Sequence, residues 1–193
     1  PGVEVIGFTG SETVGERILS IAGLRRVLLE LGGNAPAIVH RDADLGRAVK
    51  DLVGASFGMS GQSCISTQRI LVHRDLYEQM VGEMVAGARK LVVGAPADAA
   101  TDIGPMISED AARRVESWIL EAVEQGARLR CGGERRGATV TPAVLTDVKP
   151  EMTVVCREVF GPVVSMMPYD DIDAAFALAN STPYGLQAGL YTN

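Results

Sequence analysis

Four short stretches of this sequence carry residue types able to do chemistry. "FGMSGQSCIS" (Phe57–Ser66) sets Cys64 among glycines and hydroxyl residues. A thiol is a potential nucleophile, but at its ordinary pKa it needs local help to become thiolate. Gly61 with Ser60 and Ser63 permits close backbone approach by a ligand, and the N–H groups of Ser63 and Cys64 can face a developing oxyanion. Composition alone favours a plainer reading, because free cysteine commonly packs as a small buried filler. "ELGGN" (Glu30–Asn34) places a carboxylate behind the apolar run "VLL". Burial there disfavours ionisation and suits a general base. A lone glutamate at a strand end more often turns to solvent.

The other two stretches suit a ligand. "GFTGSETVG" (Gly7–Gly15) reads as a strand, a glycine turn and a helix start. Free N–H groups and the helix dipole at such a place favour an anion, typically phosphate. It is not G-x-G-x-x-G, and an ordinary turn with Ser11 as a cap explains it equally well. "REVFGPV" (Arg157–Val163) offers the Phe160 ring as a flat face for a planar ligand. It also offers Glu158 as an acceptor for vicinal hydroxyls. A salt-bridged loop entering a strand is the bland alternative.

The elements that must position these residues alternate along the chain. Val3–Phe8, "RVLLEL", "PAIVH", "STQRILVH", "ARLRCGG", "TPAVLTDV", "PVVSMMPY" and "QAGLYT" read as strands. Val3–Phe8 has the composition of a buried strand, and two of the others flank a "GGN" turn. Helices are expected through "VGERILSIAG", after Asp42 as a cap, and after Asp75 with Glu78 as a capping box. Two more are expected from Ser108 to Gly126 and through "DIDAAFALAN". Leu76, Met80, Met84 and Ala88 form a core-facing stripe. This alternation predicts an α/β fold, a mostly parallel sheet covered by helices on both faces in three αβα layers.

Composition narrows the function classes. The 193 residues suffice for one substantial core, and 47% hydrophobic with 22% charged residues describes an ordinary globular chain. The net charge of −6, without a basic tract, argues against nucleic acid as a partner, and no apolar run approaches membrane-spanning length. Cys64, Cys131 and Cys156 are widely spaced, with no C-x-x-C pair. His40 and His73 are the only histidines and both end strands, so no metal site is expected and both read as structural. Reduced thiols fit a cytoplasmic setting.

Taken together and in order, "FTGS", "ELGGN", "GQSC", "VGAPADAATDIGPM", "EVFGPV" and "NSTPYGLQAGLYTN" closely resemble the aldehyde dehydrogenase superfamily. Cys64 stands 34 residues after Glu30 and 94 before Glu158, spacings similar to that family's. The resemblance runs from Val3 to Asn193 and implies that fold. It implies NAD or NADP as cofactor, a small aldehyde as substrate and a homodimer or homotetramer as the parent's assembly. It also assigns roles: Cys64 as nucleophile, with its N–H as half of an oxyanion hole, and Glu30 as the base for deacylation. Glu158 would bind the nicotinamide ribose and Phe160 would pack beside the ring. Gly10 and Ser11 would line the phosphate region, with Leu31 and Gly33 near the nicotinamide. Cys131 and Cys156 match no catalytic position.

The resemblance further implies a piece of a longer enzyme. Residues 1–29 would be the tail end of the dinucleotide-binding domain, and 30–193 the catalytic domain truncated at its C-terminus. The family's oxyanion asparagine and its adenosine-ribose lysine match nothing in this sequence, so the piece alone is expected to be inactive. A CoA-acylating relative or a non-catalytic interaction module are the alternatives, and Glu30 favours hydrolysis over acyl transfer.

Overall fold

The computed structural model describes residues 2–193. The chain opens with β1 (Val5–Thr9), α1 (Glu12–Ile21) and β2 (Arg26–Glu30). β1 and β2 pair in parallel as a sheet of their own, with Thr9 beside Glu30. There follow β3 (Ala35–Val39), α2 (Leu45–Phe57), β4 (Thr67–His73), α3 (Arg74–Lys90), α4 (Glu109–Glu124) and β5 (Arg128–Cys131). A small hairpin of β6 (Arg135–Arg136) and β7 (Thr139–Val140) precedes β8 (Ala143–Thr146), α5 (Thr153–Cys156), β9 (Val163–Tyr169), α6 (Ile172–Ala179) and β10 (Gly189–Tyr191). The main sheet has the order β10-β3-β4-β9-β8-β5, parallel except for β5 at one edge.

Period-two alternation divides the core into two clusters, one on each face of this sheet. Ile38, Leu71, Leu145, Val163 and Met167 pack with Val115 and Ile119 of α4 and Val154 of α5. Val39, Ile70, Val72, Val144 and Met166 pack with Leu52 of α2 and Met80 and Met84 of α3. The expected three-layer αβα fold is therefore the observed one, and the methionine stripe is core.

Several local expectations are corrected. Asp44, not Asp42, caps α2, accepting from the Arg47 N–H at 3.0 Å. Asp42 instead accepts from the Thr192 hydroxyl at 2.8 Å beyond β10. The cap of α3 is His73, whose Nδ1 accepts from the Asp75 N–H, so Asp75 lies within the helix. β1 is exposed or half-buried along its length rather than buried. "RVLLEL" and "PAIVH" are strands as expected, but they belong to different sheets. His40 and His73 pack against Tyr169 at the carboxyl edge of the main sheet, a structural role as expected.

Candidate active site

Chain direction puts the candidate residues where two sheet edges meet. Thr9 and Glu30 end the strands of the two-stranded sheet, and α1 begins two residues after Gly10. Gly33, Cys64 and Glu158 each precede a strand of the main sheet, β3, β4 and β9. The carboxyl edge of one sheet thus faces the amino edge of the other, and loops at such strand ends commonly form ligand sites. Between them lies a cavity of about 640 Å³. Its lining brings together Gly10, Ser11, Glu30, Leu31, Cys64, Glu158 and Phe160, all expected, and adds Met59, Gln62, Ser63 and Arg114.

The Cys64 turn is shaped by backbone that leaves the ordinary regions. Met59, Ser60 and Gly61 follow α2 with φ of 52°, 56° and 68°. Left-handed conformation at a non-glycine residue costs about 1–3 kcal/mol, so the surroundings must over-determine it. They do: the Ser60 hydroxyl donates to the Gly104 carbonyl at 2.9 Å. Ser66 Oγ donates to Ala55 O and Ser56 O at 3.1 Å each, and the Ser66 N–H closes the turn onto Ser63 O. A Cβ on Gly61 would collide with the carbonyl of Gly161 in the "FGP" loop. We therefore expect Gly61→Ala to lower both stability, by about 1–3 kcal/mol, and the reactivity of Cys64. Thermal unfolding and the rate of thiol alkylation measure the two effects.

Cys64 sits on the corner of this turn with its side chain exposed, so it is not core filler. Its N–H meets no protein acceptor among the described residues and is free to face an oxyanion. Cys131 and Cys156 are only half-buried, and Cys131 packs against the α2–α3 face of the core. Among the described residues neither histidine stands near Cys64, since His40 packs against His73. His73 ends β4 whereas Cys64 precedes it, a separation of about 20 Å along the strand. Glu30 is exposed at the end of β2, not buried behind "VLL" as expected, because strand alternation turns it to the open side.

Glu158 lines the same cavity. Its Oε1 accepts from the Gly33 N–H at 2.9 Å. Burial pushes its carboxyl above the ordinary range, while that N–H and the Arg114 guanidinium hold it back. A side chain on Gly32 would collide with this carboxylate, and one on Gly33 with the carbonyl of Cys64. The two glycines of "ELGGN" thus let the Cys64 backbone and the Glu158 carboxylate approach the same short segment closely. Phe160 is held at φ 47° with its ring partly exposed. Leu31 packs on Gly15 of α1, and Ser11 starts that helix without making a side-chain cap.

Sequence reasoning missed Arg114, which lies on α4 with its guanidinium 4.7 Å from the Trp118 ring centroid. It also missed the reason for Gln62, whose Oε1 accepts from the Ile107 N–H at 2.9 Å. The i, i+4 spacing of Arg114 and Trp118 was a visible signal, but "ARRVESW" reads as an ordinary solvated face. A second groove, of about 350 Å³, shares Met59 and Ser63 with the first and runs past Ala55 and Ile65. It is lined by no charged side chain.

The family model described as "Aldehyde dehydrogenase family" matches residues 1–193. The chain belongs to the aldehyde dehydrogenase family. It is 51% identical over 191 residues to a 3-sulfolactaldehyde dehydrogenase of Priestia aryabhattai, covering 99% of this chain and 40% of that protein. An aldehyde dehydrogenase 21 from Physcomitrella patens, solved with the reaction product succinate, superposes with a TM-score of 0.94 at 43% identity. That match covers 97% of this chain and 39% of the other. An NAD-dependent aldehyde dehydrogenase from Sinorhizobium meliloti superposes with a TM-score of 0.97 at 38% identity, covering 100% of this chain and 40% of that one. The chain therefore spans about 40% of the length of the curated relatives it matches.

Proposed function

We propose that this chain is the catalytic portion of an NAD(P)+-dependent enzyme that oxidises a small polar aldehyde to a carboxylic acid. Residues 30–193 form the catalytic domain and 1–29 end a dinucleotide-binding domain. The observation that carries this reading is the single cavity holding an exposed Cys64, Glu30, Glu158 and the start of α1. Its donor set suits a dinucleotide. The uncapped first turn of α1 attracts phosphate, the Glu158 carboxylate accepts from ribose hydroxyls, and Phe160 offers a ring face.

In this reading Cys64 Sγ adds to the aldehyde carbon, and the Cys64 N–H stabilises the resulting thiohemiacetal oxyanion. NAD(P)+, when bound, supplies the hydride acceptor that leaves a thioester on sulfur. Glu30 then takes a proton from water, the hydroxide displaces Cys64 as thiolate, and the carboxylic acid departs. Glu30 is what favours hydrolysis over transfer to coenzyme A. The neutral groove beside Ile65 suits a compact substrate. The names of the relatives, a sulfolactaldehyde enzyme and one solved with succinate, point to aldehydes carrying a second polar group. Three free cysteines support a cytoplasmic setting, and among the described residues no helix is long and apolar enough to cross a membrane. The parent assembles as a homodimer or homotetramer, which light scattering on the full-length protein tests.

Steady-state assays of the full-length protein against an aldehyde panel with NAD+ and NADP+ test the activity. NAD(P)H formation with short polar aldehydes is expected, and none with any aldehyde contradicts the proposal. A pH prediction follows from Glu158. Its raised pKa means that native stability contributed by the protonated form is lost as pH rises through that value. Cofactor binding runs the other way, weakening as pH falls through it, because only the carboxylate is a full acceptor. Arg114→Met removes a cation that holds the pKa down, so the acid limb of cofactor Kd against pH is expected to move to higher pH. Glu158→Gln is expected to abolish that limb.

A further inference from the structure

The segment carrying Glu158 and Phe160 belongs to no helix or strand, yet its backbone is held by side chains at four points spread over three consecutive residues. The Arg157 carbonyl accepts from Gln68 Nε2 at 2.6 Å and from Asn34 Nδ2 at 3.1 Å. The Glu158 N–H donates to Tyr184 Oη at 3.3 Å. The Val159 N–H donates to Gln68 Oε1 at 2.8 Å, and the Val159 carbonyl accepts from Arg114 Nη2 at 2.8 Å.

Gln68 is the only one of these side chains that grips both flanks of Glu158. It is buried in β4, 5% exposed, and its second Nε2 hydrogen goes to the Val154 carbonyl at 3.0 Å. Every polar hydrogen of its carboxamide is therefore used, and neither carboxamide end can be exchanged for the other without losing all three bonds. The neighbouring buried Arg69 fixes Asn34 in the same way. Its Nε donates to Asn34 Oδ1 at 2.7 Å, which leaves Asn34 Nδ2 aimed at the carbonyls of Val155 and Arg157.

We propose that Gln68 is a positioning residue of the cofactor site. Its carboxamide brackets Glu158, holding the carbonyl before it and the N–H after it. The carboxylate is thereby aimed at the Gly33 N–H and the cavity before any cofactor arrives. The inference rests on the reading of Glu158 as the ribose acceptor. A loop held by side chains rather than by a ladder is set by whichever residue makes bonds on both of its flanks, and a site loses affinity when that support is left loose.

The test uses the full-length protein with Gln68→Leu and the milder Gln68→Asn, which decides the matter if the leucine variant does not accumulate. Two quantities are read. One is the Kd for NAD(P)+ by calorimetry without aldehyde. The other is the hydrogen-exchange rate of the Gly33 amide without cofactor, set against the Val164 amide in β9. Gln68→Leu is expected to weaken cofactor binding at least tenfold and Gln68→Asn at least threefold. Both should speed exchange at Gly33, which Gln68 does not touch, and leave Val164 unchanged. A purely structural residue would lower the melting temperature while leaving Kd within twofold and the Gly33-to-Val164 ratio unchanged, and that result overturns the inference. If Glu158→Gln binds NAD(P)+ as wild type does, the role given to Glu158 fails instead. If Glu158→Gln weakens binding and neither Gln68 variant does, only the inference about Gln68 fails.

Discussion

Cys64→Ala in the full-length protein is expected to abolish aldehyde-dependent NAD(P)H formation, a loss on the order of 10⁴-fold or more. The size follows from the step removed. Without sulfur there is no covalent adduct, and hydride would have to leave a free aldehyde hydrate whose oxyanion no enzyme bond holds in place. The turn around Cys64 carries no second nucleophile of comparable strength. Its neighbours are Ser63 and Ile65, and among the described residues no histidine stands near to activate the hydroxyl. Cofactor Kd should be unchanged, because Glu158 and α1 are untouched. A variant that keeps more than a hundredth of wild-type turnover would remove Cys64 from the mechanism. Cys131 and Cys156 serve as controls: replacing either with alanine should leave kcat within threefold.

Glu30→Gln is expected to separate the two halves of the reaction. Hydride transfer needs the thiol but not the second carboxylate, so one equivalent of NAD(P)H per site should form in a burst. Steady turnover should then fall by roughly 10²–10⁴-fold, the usual contribution of a general base. Exposure of Glu30 at the cavity rim fits this division, since the base of the second step must reach solvent water. Rapid-quench or stopped-flow measurement separates burst from turnover. A burst followed by unchanged turnover would take Glu30 out of deacylation.

Much of the fold was legible because apolar periodicity changes cleanly between elements. "ILVH" and "PVVSMMPY" alternate onto two faces of one sheet, and the Met80–Met84–Ala88 stripe falls on the buried side of α3. Local chemistry misled where a distant residue decided the outcome. Asp42 has the right type for a cap, but Thr192 occupies it, and Asp44 two positions on takes the role. Glu30 follows three apolar residues, yet β2 pairs only with β1 and leaves its alternate positions open. Of the residues lining the cavity, Cys64, Glu30, Glu158 and Phe160 stand in short motifs that single them out in the sequence. Gln68, Tyr184 and Arg114 are not singled out, because they reach the 157–160 segment from 91, 26 and 45 residues away. Each looks alone like an ordinary strand, loop or helix residue, and their common hold on this segment exists only in the folded chain.

In the proposed mechanism the acyl group formed from the aldehyde is held as a thioester on Cys64 and released by water that Glu30 activates. Intact-protein and peptide mass spectrometry of full-length Glu30→Gln, quenched in acid after mixing with aldehyde and NAD(P)+, tests it most directly. One acyl group per chain is expected, on the peptide containing Cys64, and it should disappear in Cys64→Ala/Glu30→Gln. No adduct despite a full burst of NAD(P)H, or an acyl group on Cys131 or Cys156 instead, would contradict it.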